Sequence, residues 1–143
     1  MANIQSISNS FKVEVLSGIH HLDGTDTLKA ALYEETGTQD SSTAIYSTID
    51  EVTGTGYTPG GLTVTNATAP ALDGITAHWT PSAALEWIGV TLGTSFDAVT
   101  LYNSTEANRA IATFTFSAQT VLAGNFTINM PANNGSTGLL RLT

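Results

Sequence analysis

Three histidines, His20, His21 and His78, are the side chains of this sequence whose ordinary titration would let them act as bases near neutral pH. A nucleophilic mechanism would need one of them beside a serine, threonine or cysteine, with donors aimed at an oxyanion. Cysteine is absent, and no Gly-x-Ser-x-Gly elbow lies near a candidate serine. His78 alternates onto the threonine-rich side of its run, so a solvated surface histidine is expected there. His20 and His21 follow Gly18 at what reads as a strand end. Neighbours on a strand point to opposite faces, so this pair cannot chelate one metal, and a structural or turn role is expected.

Carboxylates are the other source of chemistry. Glu34 and Glu35 are adjacent, as are Asp50 and Glu51, and Asp23 and Asp26 flank Gly24. A glycosidase needs two carboxylates facing each other across a cleft, and nothing in these spacings sets a pair that way. Acids side by side in polar loops are ordinarily solvated. The segment from Asp23 to Asp26 lacks the twelve-residue calcium loop and its closing glutamate. Gly54-Thr-Gly56 is followed by Tyr57 and lacks the lysine and helix of a phosphate loop. Trp79, Trp87, Tyr57 and Tyr102 could line a sugar-binding strip, but aromatics on alternating strands more often fill a core. The sequence thus assigns no catalytic, cofactor-binding or metal-binding residue, and neither enzyme activity nor a cofactor is expected.

The elements that would position such residues read as strands. Phe11-Lys-Val-Glu-Val15 alternates apolar and charged side chains, the signature of a half-buried strand. Alternation returns at Leu62 and Val64, at Ile75, Ala77 and Trp79, at Ala110 to Phe116, and at Phe126, Ile128 and Met130. Residues 87–92 and 98–102 are more continuously apolar, as central strands can be. Leu139, Leu140 and Leu142 build the end of the chain into a sheet. Turn residues separate these runs: Gly54 and Gly56, Pro59-Gly-Gly61, Asp73-Gly74, Gly124-Asn125 and Asn133-Asn-Gly135. Strands so punctuated predict a single-domain, all-β, antiparallel sandwich, jelly-roll-like or Ig-like, of about eight to ten strands. Trp79, Phe114, Phe126 and Ile128 are expected in its core. Residues 1–10, polar with isolated Ile4 and Ile7, read as an N-terminal arm ahead of a β-sandwich domain at 11–143. Residues 26–35 satisfy both a helical face (Leu28, Ala31, Leu32, Glu35) and strand alternation (Leu28, Ala30, Leu32).

Composition narrows the partners. A chain of 143 residues is long enough to bury a core without metals or disulfides. Only 11% of it is charged, against about 25% in an average globular chain, and threonine fills the gap. Threonine is β-branched and polar, which suits the wet face of a pleated sheet. Net charge is −8, and the cations Lys12, Lys29, Arg109 and Arg141 are scattered. Nucleic-acid binding needs clustered cations to displace counterions from phosphate, so that partner is not expected, nor is an anionic membrane. No leader-like start and no membrane-length apolar run occurs, so the chain is expected to remain in the cytoplasm that makes it.

Several blocks together resemble a family of small virion structural proteins of tailed phages. They are Lys12-Val-Glu-Val-Leu16-Ser-Gly18-Ile-His20, Asp26-Thr-Leu-Lys-Ala-Ala-Leu-Tyr33, and Glu51-Val-Thr-Gly-Thr-Gly-Tyr-Thr-Pro-Gly-Gly61. Further along stand Val99-Thr-Leu-Tyr-Asn103, Asn108-Arg-Ala110, Gly124-Asn-Phe-Thr-Ile-Asn-Met-Pro131 and Leu140-Arg-Leu142. The likeness runs from Lys12 on and is most specific at Glu51 to Gly61. Val15 and Leu28 depart from the pattern, where leucine and an aromatic are usual. The resemblance implies β structure for residues 26–33 and carries no catalytic residue. It implies a capsid decoration (cement) protein on the outer surface of the head, made in the host cytoplasm. The implied partners are the major capsid protein and further copies of the chain, a trimer being favoured. A tail or fibre component and a carbohydrate-binding attachment module are the rival readings.

Overall fold

The computed structural model describes residues 2–143. Over the described residues the chain is an all-β antiparallel sandwich with eight strands and one short helix. In chain order they are β1 (Ser6–Ile7), α1 (Asn9–Leu16), β2 (Leu28–Glu34), β3 (Leu62–Thr63), β4 (Ala71–Asp73), β5 (Thr76–Trp79), β6 (Leu85–Asn103), β7 (Arg109–Ile128) and β8 (Leu140–Leu142). One sheet has the order β1-β7-β6-β2-β3 and the other β4-β5-β8. Leu28, Leu32, Val99 and Ile111 of the larger sheet share one core with Trp79 and Leu140 of the smaller.

β2 settles the segment that two patterns fitted. Its alanines and leucines are good helix formers, but the strand is buried on both faces, and tertiary burial outweighs that modest propensity. Leu28, Ala30 and Leu32 enter the main core, while Ala31 and Tyr33 join Ala98 and Tyr102 on the opposite side. β6 lies beside it in antiparallel register, Ala30 opposite Leu101 and Leu32 opposite Val99. β6 and β7 form one long hairpin. Within it Thr100 and Thr113 are direct cross-strand partners, their buried hydroxyls 2.8 Å apart.

Several expectations need correction; one is the turn at Gly124-Asn125, which lies inside β7 because that strand runs on along β6 to Ile128. Residues 11–15 are helical, inside α1. The spacing of Phe11, Glu14 and Val15 fits a helical face as well as a strand, and that face meets the core and Arg109. Gly18, at φ 71°, ends the helix: Ile19 N–H donates to the Glu14 carbonyl at 3.0 Å and Gly18 N–H to that of Val15 at 3.2 Å.

Of the residues read as an arm, Met1 lies outside the described residues, and residues 2–10 are not free. Ser6 and Ile7 pair with Thr113 and Ala112 of β7. Asn3 is buried: its amide donates to the Glu34 carbonyl (2.8 Å) and to Asp97 Oδ1 (2.7 Å), and its Oδ1 accepts from Gln39 N–H (3.0 Å).

The expected core is right at Trp79, which is 1% exposed, but Phe114, Phe126 and Ile128 are only half-buried. Beyond its pairing with β1, β7 has no strand on its outer side, so its side chains are covered from one direction only.

Candidate functional site

The structure gathers polar residues from four segments around Asn103. This residue ends β6, and its Oδ1 accepts from Thr105 N–H (3.1 Å) and Glu106 N–H (3.2 Å), closing the turn into β7. With the oxygen so engaged, the amide nitrogen must face inward. It donates to Asp26 Oδ2 at 2.7 Å and meets His20 Nδ1 at 3.1 Å. An amide N–H can only donate, so His20 Nδ1 is the acceptor and the ring proton sits on Nε2. Nε2 lies 2.8 Å from Glu14 Oε2 and donates to it. Arg109 Nη1 donates to the other oxygen, Glu14 Oε1, at 2.7 Å. The chain from Asp26 through Asn103, His20 and Glu14 to Arg109 is thus continuous.

Its electrostatics follow from those contacts. Burial works against the Glu14 carboxylate, but the hydrogen bonds from His20 and Arg109 outweigh it and hold its carboxyl below the ordinary value. Burial likewise opposes Asp26, and donation from the His21 backbone and from Asn103 overcomes it. Both ring nitrogens of His20 are occupied, by Glu14 and Asn103. Phe11 packs on the ring at 4.9 Å between centroids. The arrangement fixes the helix, the loop after it and the hairpin turn to one another; its nitrogens are spent on structure.

The other candidates fall as follows. His20 and His21 lie in the loop after α1 and not at a strand end; His20 is buried, while His21 is exposed with Nδ1 3.5 Å from Asp26 Oδ2. His78 is buried, against expectation, with Nδ1 2.9 Å from Asn133 Oδ1. Asp23 makes an exposed turn with Thr25 N–H at 3.0 Å, well apart in role from buried Asp26. Among the described residues no three His, Asp or Glu side chains are grouped to hold a metal ion. Trp79, Trp87, Tyr57 and Tyr102 are all buried, so they offer no platform to a sugar. Glu14 and Asn103 were missed as a pair because a strand at residues 11–15 would have sent Glu14 outward.

Glu51 centres a second cluster. Its Oε1 accepts from the Tyr57 hydroxyl and from Gly60 N–H, each at 2.7 Å, and its Oε2 accepts from the Tyr46 hydroxyl at 2.6 Å. The Tyr102 hydroxyl donates to the Gly60 carbonyl at 2.7 Å and its ring stacks on Tyr46 at 4.6 Å. The glycines of this block are required by close approach: a Cβ on Gly61 would strike the Ala30 carbonyl, and one on Gly54 the Thr91 carbonyl. The block from Glu51 to Gly61 is therefore a loop pinned along β2 and β6.

An apolar groove of about 360 Å³ opens between α1 and the β5–β8 side of the smaller sheet. Phe11, Val15, Trp79 and Leu140 form its walls, with the exposed side chains of Leu16 and Leu142 also lining it. Lys12 and Arg141 line it too, bonded to Asn9 Oδ1 (3.1 Å) and the Ser136 carbonyl (2.6 Å). Among the described residues neither is paired with a carboxylate. Half of the chain's four cations thus flank one apolar surface.

These features define a small all-β protein held by two buried polar clusters, with an apolar, cation-flanked groove on its surface. No protein-family model matches the chain, and neither a curated protein nor a solved structure does.

Proposed function

We propose that the protein is a structural component of a tailed-phage virion, a decoration protein seated on the outside of the head against the major capsid protein as a small homo-oligomer. The observation that carries the reading is the use made of the block from Glu51 to Gly61, where the resemblance is most specific. Its carboxylate, tyrosine hydroxyl and glycines all serve to fasten a loop to β2 and β6. A motif of that kind marks a scaffold whose task is to keep its shape. The groove supplies a surface for the capsid: its apolar walls suit apolar side chains, and Lys12 and Arg141 suit a carboxylate on the same segment. The acidic charge of the rest of the chain keeps it from nucleic acid.

The test is addition of the purified protein to heads that lack their native decoration, followed by imaging of the particles. Density on the head surface is expected, and Leu16→Asp with Leu142→Asp should weaken attachment without unfolding, because both side chains are exposed. Binding to tails or to host polysaccharide, with bare heads, would overturn the reading.

A further inference from the structure

We propose that the outer edge of β7, over residues 116–128, is the interface between two copies of this chain, joined by antiparallel strand pairing. The inference deepens the reading above and rests on its statement that copies assemble with one another; it does not depend on the capsid.

The outer side of β7 is covered only at its start. Ser6 and Ile7 of β1 pair with Thr113 and Ala112. After them come two glutamine side chains: Thr115 N–H donates to Gln5 Oε1 at 3.3 Å, and the Gln119 amide donates to the Ser117 carbonyl at 3.0 Å. Those contacts are exposed and are made by side-chain amides, which an incoming strand can displace. From there to Ile128 the strand has β6 on one side and no strand on the other. Thirteen residues at about 3.3 Å each give an edge roughly 40 Å long.

Monomeric proteins guard such an edge with lysine, proline, inward charges or bulges. Of these only bulges are present, where the register of β7 against β6 shifts. Between Arg109 and Arg141 the sequence has no charged residue at all, and its one proline, Pro131, lies beyond the strand. All twelve acids precede Arg109; on the facing strand Glu86 stands opposite Thr127 near the hairpin's open end.

That distribution selects the partner. Two chains of charge −8 repel wherever they present carboxylates, and this edge is where they can meet without doing so. A basic partner would be drawn to the acidic remainder. Leu122 is 79% exposed, and Phe114, Phe116, Val121 and Phe126 are half-buried along the same strand, so pairing also covers apolar surface. Antiparallel pairing of identical edges closes about a two-fold axis, which makes a dimer and not a trimer.

The experiment is light scattering after size-exclusion chromatography over a concentration series, with hydrogen exchange on the same samples. The full chain should have dimer mass, and amides within residues 116–128 should gain protection as concentration rises. Thr120→Lys with Leu122→Lys, both at exposed positions, should give monomers with an unchanged melting temperature. A wild-type monomer throughout, a dimer indifferent to the lysines, or a dimer whose added protection falls outside residues 116–128 would each overturn the interface. Should the lysine variant fail to fold, the exchange pattern of the wild type decides alone. A monomer that still decorates heads would sink this interface and the homo-oligomer while leaving the placement on the head intact; a dimer that binds no head would do the reverse.

Discussion

The Tyr57 hydroxyl donates to Glu51 Oε1 at 2.7 Å while accepting the Leu32 backbone N–H at 3.0 Å. Through one phenol oxygen, a loop carboxylate is tied to β2 of the larger sheet. Tyr57 and Glu51 are both buried, so neither bond can be exchanged for one to water.

Glu51→Ala would leave three buried or half-buried donors, Tyr46, Tyr57 and Gly60, without an acceptor. Each stranded donor costs about 1–3 kcal/mol, so a loss of at least about 3 kcal/mol is expected in denaturant unfolding. A loss below about 1 kcal/mol would show that the loop does not depend on this carboxylate.

All four tyrosines of the chain, Tyr33, Tyr46, Tyr57 and Tyr102, have hydroxyls pushed up from the ordinary value by burial first; Glu51 adds to this through its hydrogen bonds at Tyr46 and Tyr57 and through its charge at Tyr33 and Tyr102, and Tyr102 reaches about 12. The folded state therefore holds protons that the unfolded chain releases above pH 10. Stability is full below that value and is lost as pH rises beyond it. In an alkaline titration, phenolate absorbance should emerge together with loss of the β circular-dichroism signal. Separate titration of even one tyrosine near pH 10, with the fold intact, would contradict the cluster.

At the acid end the sign is opposite. Glu14 and Asp26 are held below their ordinary values of 4.5 and 3.8, burial being outweighed by their hydrogen bonds. Their contribution is complete above those values and disappears as pH falls through the lowered folded ones. The denaturant midpoint should drop below about pH 4.5, and Glu14→Gln should make that dependence shallower. An identical acid profile for the variant would remove Glu14 from the account.

Asn3→Ala is expected to cost about 1–3 kcal/mol, because the Gln39 N–H and Asp97 Oδ1 lose this partner and the Glu34 carbonyl keeps Gly37 N–H. Deleting residues 2–8 should cost more, since the pairing of β1 with β7 goes as well. A truncated chain as stable as the full one would restore the reading of this segment as a detachable arm.

Phe126→Ala should lose about 1–3 kcal/mol, less than the ~3–5 kcal/mol expected of Phe96→Ala, because Phe96 is wholly buried and Phe126 only half. The two rings meet edge to face at 5.0 Å, so the pair should be compared in a double-mutant cycle. Equal losses would mean that another surface covers Phe126 in solution.

The sequence by itself determined the class of fold. Alternation in residues 75–79 and 110–116, with Gly and Asn between the runs, leaves antiparallel strands as the way to bury one face of each. It also determined a charge-free stretch from Ala110 to Leu140, which no folding can alter. What only the tertiary structure decided were the elements whose local pattern fits two periods. Phe11, Glu14 and Val15 satisfy a strand or a helix, and the choice falls to the helix because Arg109 and His20 stand where it places Glu14. Leu28 to Leu32 satisfy both as well, and there the strand wins because sheet neighbours cover both of its faces. The cluster around Asn103 could not be read along the chain at all. Its members lie up to 95 residues apart, and only the folding of the hairpin brings Arg109 against Glu14.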